Sequence, residues 1–333
     1  MLLFAALQGF VVKPEAQDPL QVEGVPISKD LYRYFLTEAL RTNTVKNTQG
    51  RPKNEKALRA AINARAVRYV AVSSELFNMG KYLQQRYKQE VAERSAYLWR
   101  IFGGYYTKIG VSKQTLTAAL TAERAETQLF LQLFDTGGAR EVPEAQISAY
   151  FYGNTVAYNG IRVFFSKTLD DGSEEPLSAS EKEDLRKVLN EIAGKVNDGA
   201  DFFTTAQEYG EELRYASPFN AVVKKGSADY SDKAFEQIRA LDPQKVSVLE
   251  FDGFFLLASG LNMRTAESEY YLVYRESCLH ELKDAEFETI MDKLCQSYHP
   301  AENVKAAEAI WDGWAWTTES TSPQTSTTRE VTT

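Results

Sequence analysis

From Leu58 to Phe102, apolar residues fall three, four or seven positions apart: Leu58, Ile62, Ala66, Tyr69, Val72, Leu76, Leu83, Tyr87, Val91, Leu98 and Phe102. Only an α-helix returns side chains to one face at that interval. The stripe therefore predicts one long helix, or two broken near Gly80, with Gly103-Gly104 as its end. A stripe this long must be covered by other helices. Candidates flank it. Ser28 caps a predicted helix from Lys29 to about Thr42, and Ser112 opens another through Leu116, Leu120, Leu129 and Leu133 to Gly137-Gly138. Pro143 opens a shorter one through Ile147, Tyr150 and Phe151, and residues 266–298 resume the helical pattern with Tyr270, Tyr274, Leu279, Leu282, Phe287, Ile290, Met291 and Leu294.

Between these helical stretches the periodicity changes. Ile161-Arg162-Val163-Phe164-Phe165 reads as a buried strand. Ser180 is the expected cap of a helix through Leu185, Val188, Leu189, Ile192 and Val196, and the turn at Gly199–Phe203 leads into a second, short helix. Near the end, Val246–Phe251 and Phe254–Ala258 flank Asp252-Gly253, a strong hairpin signal. The fold class expected is mainly α with an α+β insert: helices over 22–154, an α+β domain over 155–264, and helices over 265–316 that complete the first, split domain. At 333 residues the chain suits two domains.

Charge is unevenly spread. Residues 51–110 hold 12 Lys and Arg against 4 Asp and Glu, whereas residues 141–333 hold 18 against 34. A basic segment facing an acidic half of its own chain meets that half at high effective concentration, so no nucleic-acid partner is expected. Residues 1–21 begin Met1-Leu2-Leu3-Phe4-Ala5-Ala6-Leu7 and read either as a leader, a signal remnant without its basic front, or as an ordinary buried strand or helix start. No uninterrupted apolar run approaches the roughly 18 residues of a membrane span. In Thr317–Thr333, 11 of 17 residues are Ser or Thr, which predicts a disordered tail suited to the cell exterior or the wall.

Other chemistry has little support. Cys278 and Cys295 lie on one predicted helix, where 17 positions at ~1.5 Å separate them by about 25 Å, so free thiols are expected. Cys295 and His299 are half a zinc site with no second pair, and no metal or cofactor is expected. The acidic runs Asp170-Asp171, Glu174-Glu175 and Glu211-Glu212 lack the spacing of a calcium loop. No phosphate-cradling loop, nucleophile elbow or zinc-protease helix is present. Trp311, Trp314 and Trp316 read as docking rings, with Trp314 and Trp316 on one strand face, or else as interface anchors.

Several short matches now fall in one order. Val22-x-Gly24-x-x-Ile27-Ser28 opens the helical part. Val196-Asn197-Asp198-Gly199-Ala200-Asp201-Phe202, followed by Ala206 and Tyr209, forms the turn. Phe235, Leu241, Pro243, Val246 and Ser247 lead to the hairpin. Over residues 22–298 this layout resembles the extracytoplasmic foldases of the PrsA/SurA type. In these a split helical chaperone domain surrounds a parvulin-type peptidyl-prolyl isomerase domain. The resemblance implies binding of unfolded or nascent secreted polypeptides outside the cytoplasm, near membrane or wall. It also implies one His in the first strand and one in the last. At those positions stand Val163 and Phe255, both apolar. The glycine-rich stretch after the second helix is replaced by Glu211-Glu212-Leu213-Arg214-Tyr215-Ala216-Ser217-Pro218. The expectation is therefore a degenerate domain with weak or absent isomerase activity. Phe164, Tyr230, Phe235 and Phe255 would bind substrate, although core packing competes for Phe235 and an exposed loop position for Tyr230. An active isomerase with other catalytic residues and a non-catalytic surface adaptor remain the alternatives.

Overall fold

The computed structural model describes residues 18–42, 54–78, 81–168, 171–214, 216–263 and 270–314. The elements begin with β1 (Leu20–Val22), β2 (Val25–Ile27), α1 (Lys29–Thr42), α2 (Glu55–Asn78), α3 (Lys81–Lys108), α4 (Lys113–Phe134) and α5 (Glu144–Asn154). They continue with β3 (Thr155–Phe164), β4 (Ser166–Thr168), β5 (Glu174–Pro176), α6 (Ala179–Asn197), α7 (Phe202–Glu208), β6 (Phe219–Lys224) and α8 (Asp232–Arg239). The chain closes with β7 (Ser247–Phe251), β8 (Phe254–Gly260), α9 (Tyr270–Cys295), β9 (Pro300–Glu302) and α10 (Val304–Asp312). This is a mainly α chain with a small antiparallel sheet region. Among the described residues, no helix is long and apolar enough to cross a membrane.

The chain divides into two compact units. One comprises residues 1–141 and 283–333, the other Val142–Leu282. The division falls inside α9, and α5 counts with the sheet-bearing unit rather than with the helices before it.

In the first unit α1, α2 and α4 pack on one another and α3 packs on α4. Leu31, Phe35, Leu36, Leu58, Ile62, Ala66, Leu98, Leu116 and Leu120 form a continuous buried core. The long apolar stripe is thus shared by two helices. Gly103-Gly104 does not end it. Gly103 sits inside α3 against Trp99, where a Cβ would come within 3.2 Å of the indole nitrogen. The helix closes instead at Gly110, whose φ of +72° lets Val111 N–H reach back to the Tyr106 carbonyl at 2.9 Å. The far end of the chain completes this unit. Strand β9 pairs antiparallel with β1 in a sheet of order β2-β1-β9, and α10 buries Ala307, Ile310 and Trp311 in the same core. The Trp311 indole N–H donates to the Tyr32 hydroxyl at 3.1 Å, and the Arg59 guanidinium lies 4.6 Å from the ring centroid. Burial pushes the Tyr32 hydroxyl up to about 12. Trp311 lies on α10, and Trp314 follows it, packed against the same core. Trp316, and with it the pairing of Trp314 and Trp316 on one strand face, lies outside the described residues, as do residues 1–17 of the leader segment and the Ser/Thr-rich tail, whereas Leu20 and Gln21 of residues 1–21 stand in β1.

The second unit is built on a four-stranded antiparallel sheet of order β6-β3-β8-β7. The Asp252-Gly253 turn joins β7 to β8 as expected, with Gly253 at φ +98°. Helices α6 and α7 cover one face and α8 the other. Ser178, not Ser180, caps α6. Its hydroxyl accepts from Glu181 N–H at 3.3 Å while the Glu181 carboxylate accepts from Ser178 N–H at 2.8 Å, a reciprocal capping box that Ser180 cannot form. Cys278 and Cys295 both lie on α9 as free thiols.

Candidate functional site

A strand aims successive side chains at opposite faces, so β3 sorts its residues by parity. Val156, Tyr158, Arg162 and Phe164 share the face toward α8; Ile161 and Val163 share the face toward α6. Strand β8 sorts the same way. Phe254, Leu256 and Ala258 face α8, while Phe255 and Leu257 face α6. Gly160 allows this close pairing, since a Cβ there would lie 2.6 Å from the Ala258 side chain.

The sequence-predicted residues separate on this geometry. Val163 and Phe255 are cross-strand partners, 2% and 0% exposed, in the core under α6. The Arg186 guanidinium of α6 lies 5.0 Å from the centroid of the Phe255 ring. Phe255 is therefore a core residue and does not share a face with Tyr230 or Phe235. The reason is register, because a shift of one position moves every side chain to the opposite face. Tyr230, Phe235 and Phe164 do lie on the α8 side. Phe235 is wholly buried in its core. Tyr230 is 6% exposed, so it is not a free loop residue. Phe164 stands 53% exposed at the end of β3.

The centre of the α8 face is a residue the sequence reading did not select. Ser231 caps α8 by accepting from Ala234 N–H at 3.2 Å, which fixes Tyr230 at the mouth of the helix above the sheet. The Tyr230 and Tyr158 hydroxyls are bonded at 2.6 Å, and Arg162 donates to the Tyr230 hydroxyl at 2.5 Å. The guanidinium carbon lies 5.0 Å from the ring centroid of Phe254, 5.1 Å from Tyr230 and 5.9 Å from Phe164, within reach of cation–π attraction. Phe251 and Phe254 pack edge-on against Tyr230, and Phe219, 40% exposed, packs edge-on against Tyr158. The signal for this cluster was present: Arg162 is the one charged residue in an otherwise apolar strand core, Ile161–Phe165.

Burial, reinforced by the bond to Tyr230, holds the Tyr158 hydroxyl well above the ordinary tyrosine range. It stays protonated at neutral pH and offers no base. The chain's two histidines are His280, on α9, and His299, which precedes β9; its two cysteines are Cys278 and Cys295, on α9. Residues 155–264 thus contain neither His nor Cys. Among the described residues no group of three or more His, Cys, Asp or Glu is placed to hold a metal ion. The α8 face presents a cation and two phenols between aromatic rings, two of which reach solvent.

A separate recess of about 520 Å³ opens at the other end of the same sheet. Tyr152, Val156, Ile238, Leu241, Pro243 and Met263 line it, and none of the sequence-predicted residues does.

No protein-family profile and no curated protein matches the chain. Among solved structures it is similar to the foldase protein PrsA from Streptococcus pneumoniae str. Canada MDR_19A, with 15% identity over 75% of this chain and 86% of that one and a TM-score of 0.38. It is also similar to the foldase protein PrsA from Lactococcus lactis, with 10% identity over 90% and 99% of the two chains and a TM-score of 0.36. A further similar structure is PrsA from Bacillus subtilis, at 12% identity over 78% and 84% and a TM-score of 0.25.

Proposed function

We propose that this chain is a protein-folding factor of the PrsA/SurA kind that works by reversible binding of unfolded segments, and that its sheet-bearing unit binds such segments without turning them over. The observation that carries this reading is the composition of the α8 face: Arg162, Tyr158 and Tyr230 among aromatic rings, in a stretch devoid of His and Cys.

The energetics favour binding over catalysis. The barrier to rotation about a peptide bond is about 18–20 kcal/mol and comes from amide resonance. Lowering it requires contacts that are stronger to the twisted amide than to the planar one. Here the Tyr230 hydroxyl is already engaged by Tyr158 and Arg162, and its ring is packed by Phe251 and Phe254. The exposed rings are different. Full burial of a Phe side chain is worth about 1.5–3 kcal/mol, and Phe164 and Phe219 are each about half exposed. Ordering an extended segment costs ~1–2 kcal/mol per residue. The balance is weak, fast-exchanging attachment, which suits a holding factor.

The proposed clients are unfolded or nascent secreted polypeptides with apolar, aromatic or proline-containing stretches, and the proposed compartment is extracytoplasmic; both rest on the sequence resemblance. One observation favours a second reading, active isomerisation by a different residue set: the Arg162 guanidinium is a polar donor standing beside an aromatic wall. An aggregation-suppression assay with the full chain and two unrelated unfolded clients tests the main reading. Suppression of both is expected. Failure on both, combined with tight binding to one folded protein, would point to the adaptor alternative instead.

A further inference from the structure

Arg162 differs from the arginines that carboxylates clasp. Arg68 is clasped by Glu126 at 2.6 Å and Glu288 at 2.7 Å, and Arg275 by Glu144 at 2.8 Å. Among the described residues Arg162 has no carboxylate partner, only the phenols beneath it and three ring faces. Its Nε is buried without a hydrogen-bond acceptor. A guanidinium carries five N–H donors in a planar fork, and a buried donor left unpaired costs ~1–3 kcal/mol. A guanidinium without a carboxylate partner, beside a ring that is 53% exposed, keeps its charge available to an anion.

We infer that Arg162 is the specificity-determining residue of the α8 face, and that it reads a side-chain carboxylate, Asp or Glu, within an extended unfolded segment that carries an aromatic or proline ring two residues away. This rests on the segment-binding reading above and adds the substrate class. The spacing follows from the strand. Arg162 and Phe164 stand two residues apart on one face, about 6.6–6.8 Å along the chain, and an extended ligand repeats its own side chains at that interval. A strand edge without a β6 partner follows from register. Strand β6 stops opposite Gly160, so Ile161–Phe164 is paired on the β8 side alone, and the Arg214 guanidinium takes up the Phe164 and Ser166 carbonyls beyond it. A carboxylate can accept a charge-assisted N–H bond from the guanidinium beside the donor already given to Tyr230, a bond stronger than a neutral one. Selectivity follows from the charge of the same unit. Residues 142–282 carry 24 acidic against 14 basic residues, a background that repels densely anionic chains and favours a single isolated carboxylate.

The test uses the full chain and fluorescent peptides that differ only by Glu or Gln two residues before Phe or Pro, each with an amidated end, read by anisotropy. The Glu peptides are expected to bind about tenfold more tightly than their Gln twins, with the gap closing to about twofold in Arg162→Met. The wild-type comparison stands by itself if that variant does not fold. A further pair lacks side-chain carboxylates and ends in a free acid or an amide. Preference for the free acid with no Glu preference would move the site to chain ends and overturn the side-chain assignment. Equal binding of all peptides would overturn the carboxylate site and leave segment binding standing. No binding of any peptide, with no suppression of aggregation, would bring down both.

Discussion

Val163 and Phe255 lie one position out of register with the face that carries Phe164, Tyr230 and Phe235. The alternation is weak here, because Ile161-Arg162-Val163-Phe164-Phe165 carries apolar residues in both parities and only Arg162 breaks the run. A strand buried on both sides loses the alternation that would tell its faces apart. What was legible was the strand itself, and the one residue that did not belong in it, Arg162. The consequences differ by residue. Phe235→Ala and Phe255→Ala both empty wholly buried sites, so each is expected to lower the stability of the sheet-bearing unit by about 3–5 kcal/mol in urea titration. Phe164→Ala removes an exposed ring, and the same titration should move by no more than about 0.5 kcal/mol while peptide binding weakens. A large stability loss in Phe164→Ala would show that this ring is structural.

At the level of the element, local signals were read well and long-range ones poorly. Ser28, Ser112 and the Asp252-Gly253 turn stand where the sequence put them, because caps and tight turns are decided by a few adjacent residues. Strand β9 has three residues, and β6, although it has six, has no hairpin partner beside it in sequence; each takes its place from a strand tens to hundreds of residues away. The cap of α6 was misplaced by two residues, and its chemistry gives a pH prediction. The hydrogen bond from Lys167, then those from Ser178, hold the Glu181 carboxyl down to about 2. An unfolded Glu titrates near ~4.3. The folded value is the lower one, so the stabilisation is present in full above about pH 4.3 and is lost as the pH falls toward about 2. Thermal melts should show that decline in the wild type and a flatter one in Glu181→Gln. Ser178→Ala should cost about 1 kcal/mol at neutral pH. Identical acid profiles for wild type and Glu181→Gln would contradict the assignment.

For the whole molecule, the helical unit is assembled from both ends of the chain, and the sheet-bearing unit is the continuous segment between them. Helical periodicity returns in the sequence after residue 266, whereas the division falls later, inside α9 at Leu282. The pairing of β9 with β1 and the seating of Trp311 against Tyr32 did not follow from periodicity, since neither has a local signature. They are expected to be indispensable. Trp311→Ala should cost the helical unit about 3–5 kcal/mol, visible as an early transition in calorimetry, while the sheet-bearing unit melts unchanged. A single shared shift of both transitions would argue against two separately stabilised units.

The central claim, attachment of proline-containing segments without turnover, is tested most directly by NMR exchange spectroscopy on an Xaa–Pro peptide titrated with the full chain. One experiment then reads binding, through chemical-shift changes in the peptide, and catalysis, through the cis–trans exchange rate. The account predicts shifts that saturate with added protein while the exchange rate stays at its uncatalysed value of tens of seconds or longer. Exchange accelerated in proportion to protein concentration would contradict it, and would make the Arg162–Tyr230 cluster a catalytic site that works without histidine.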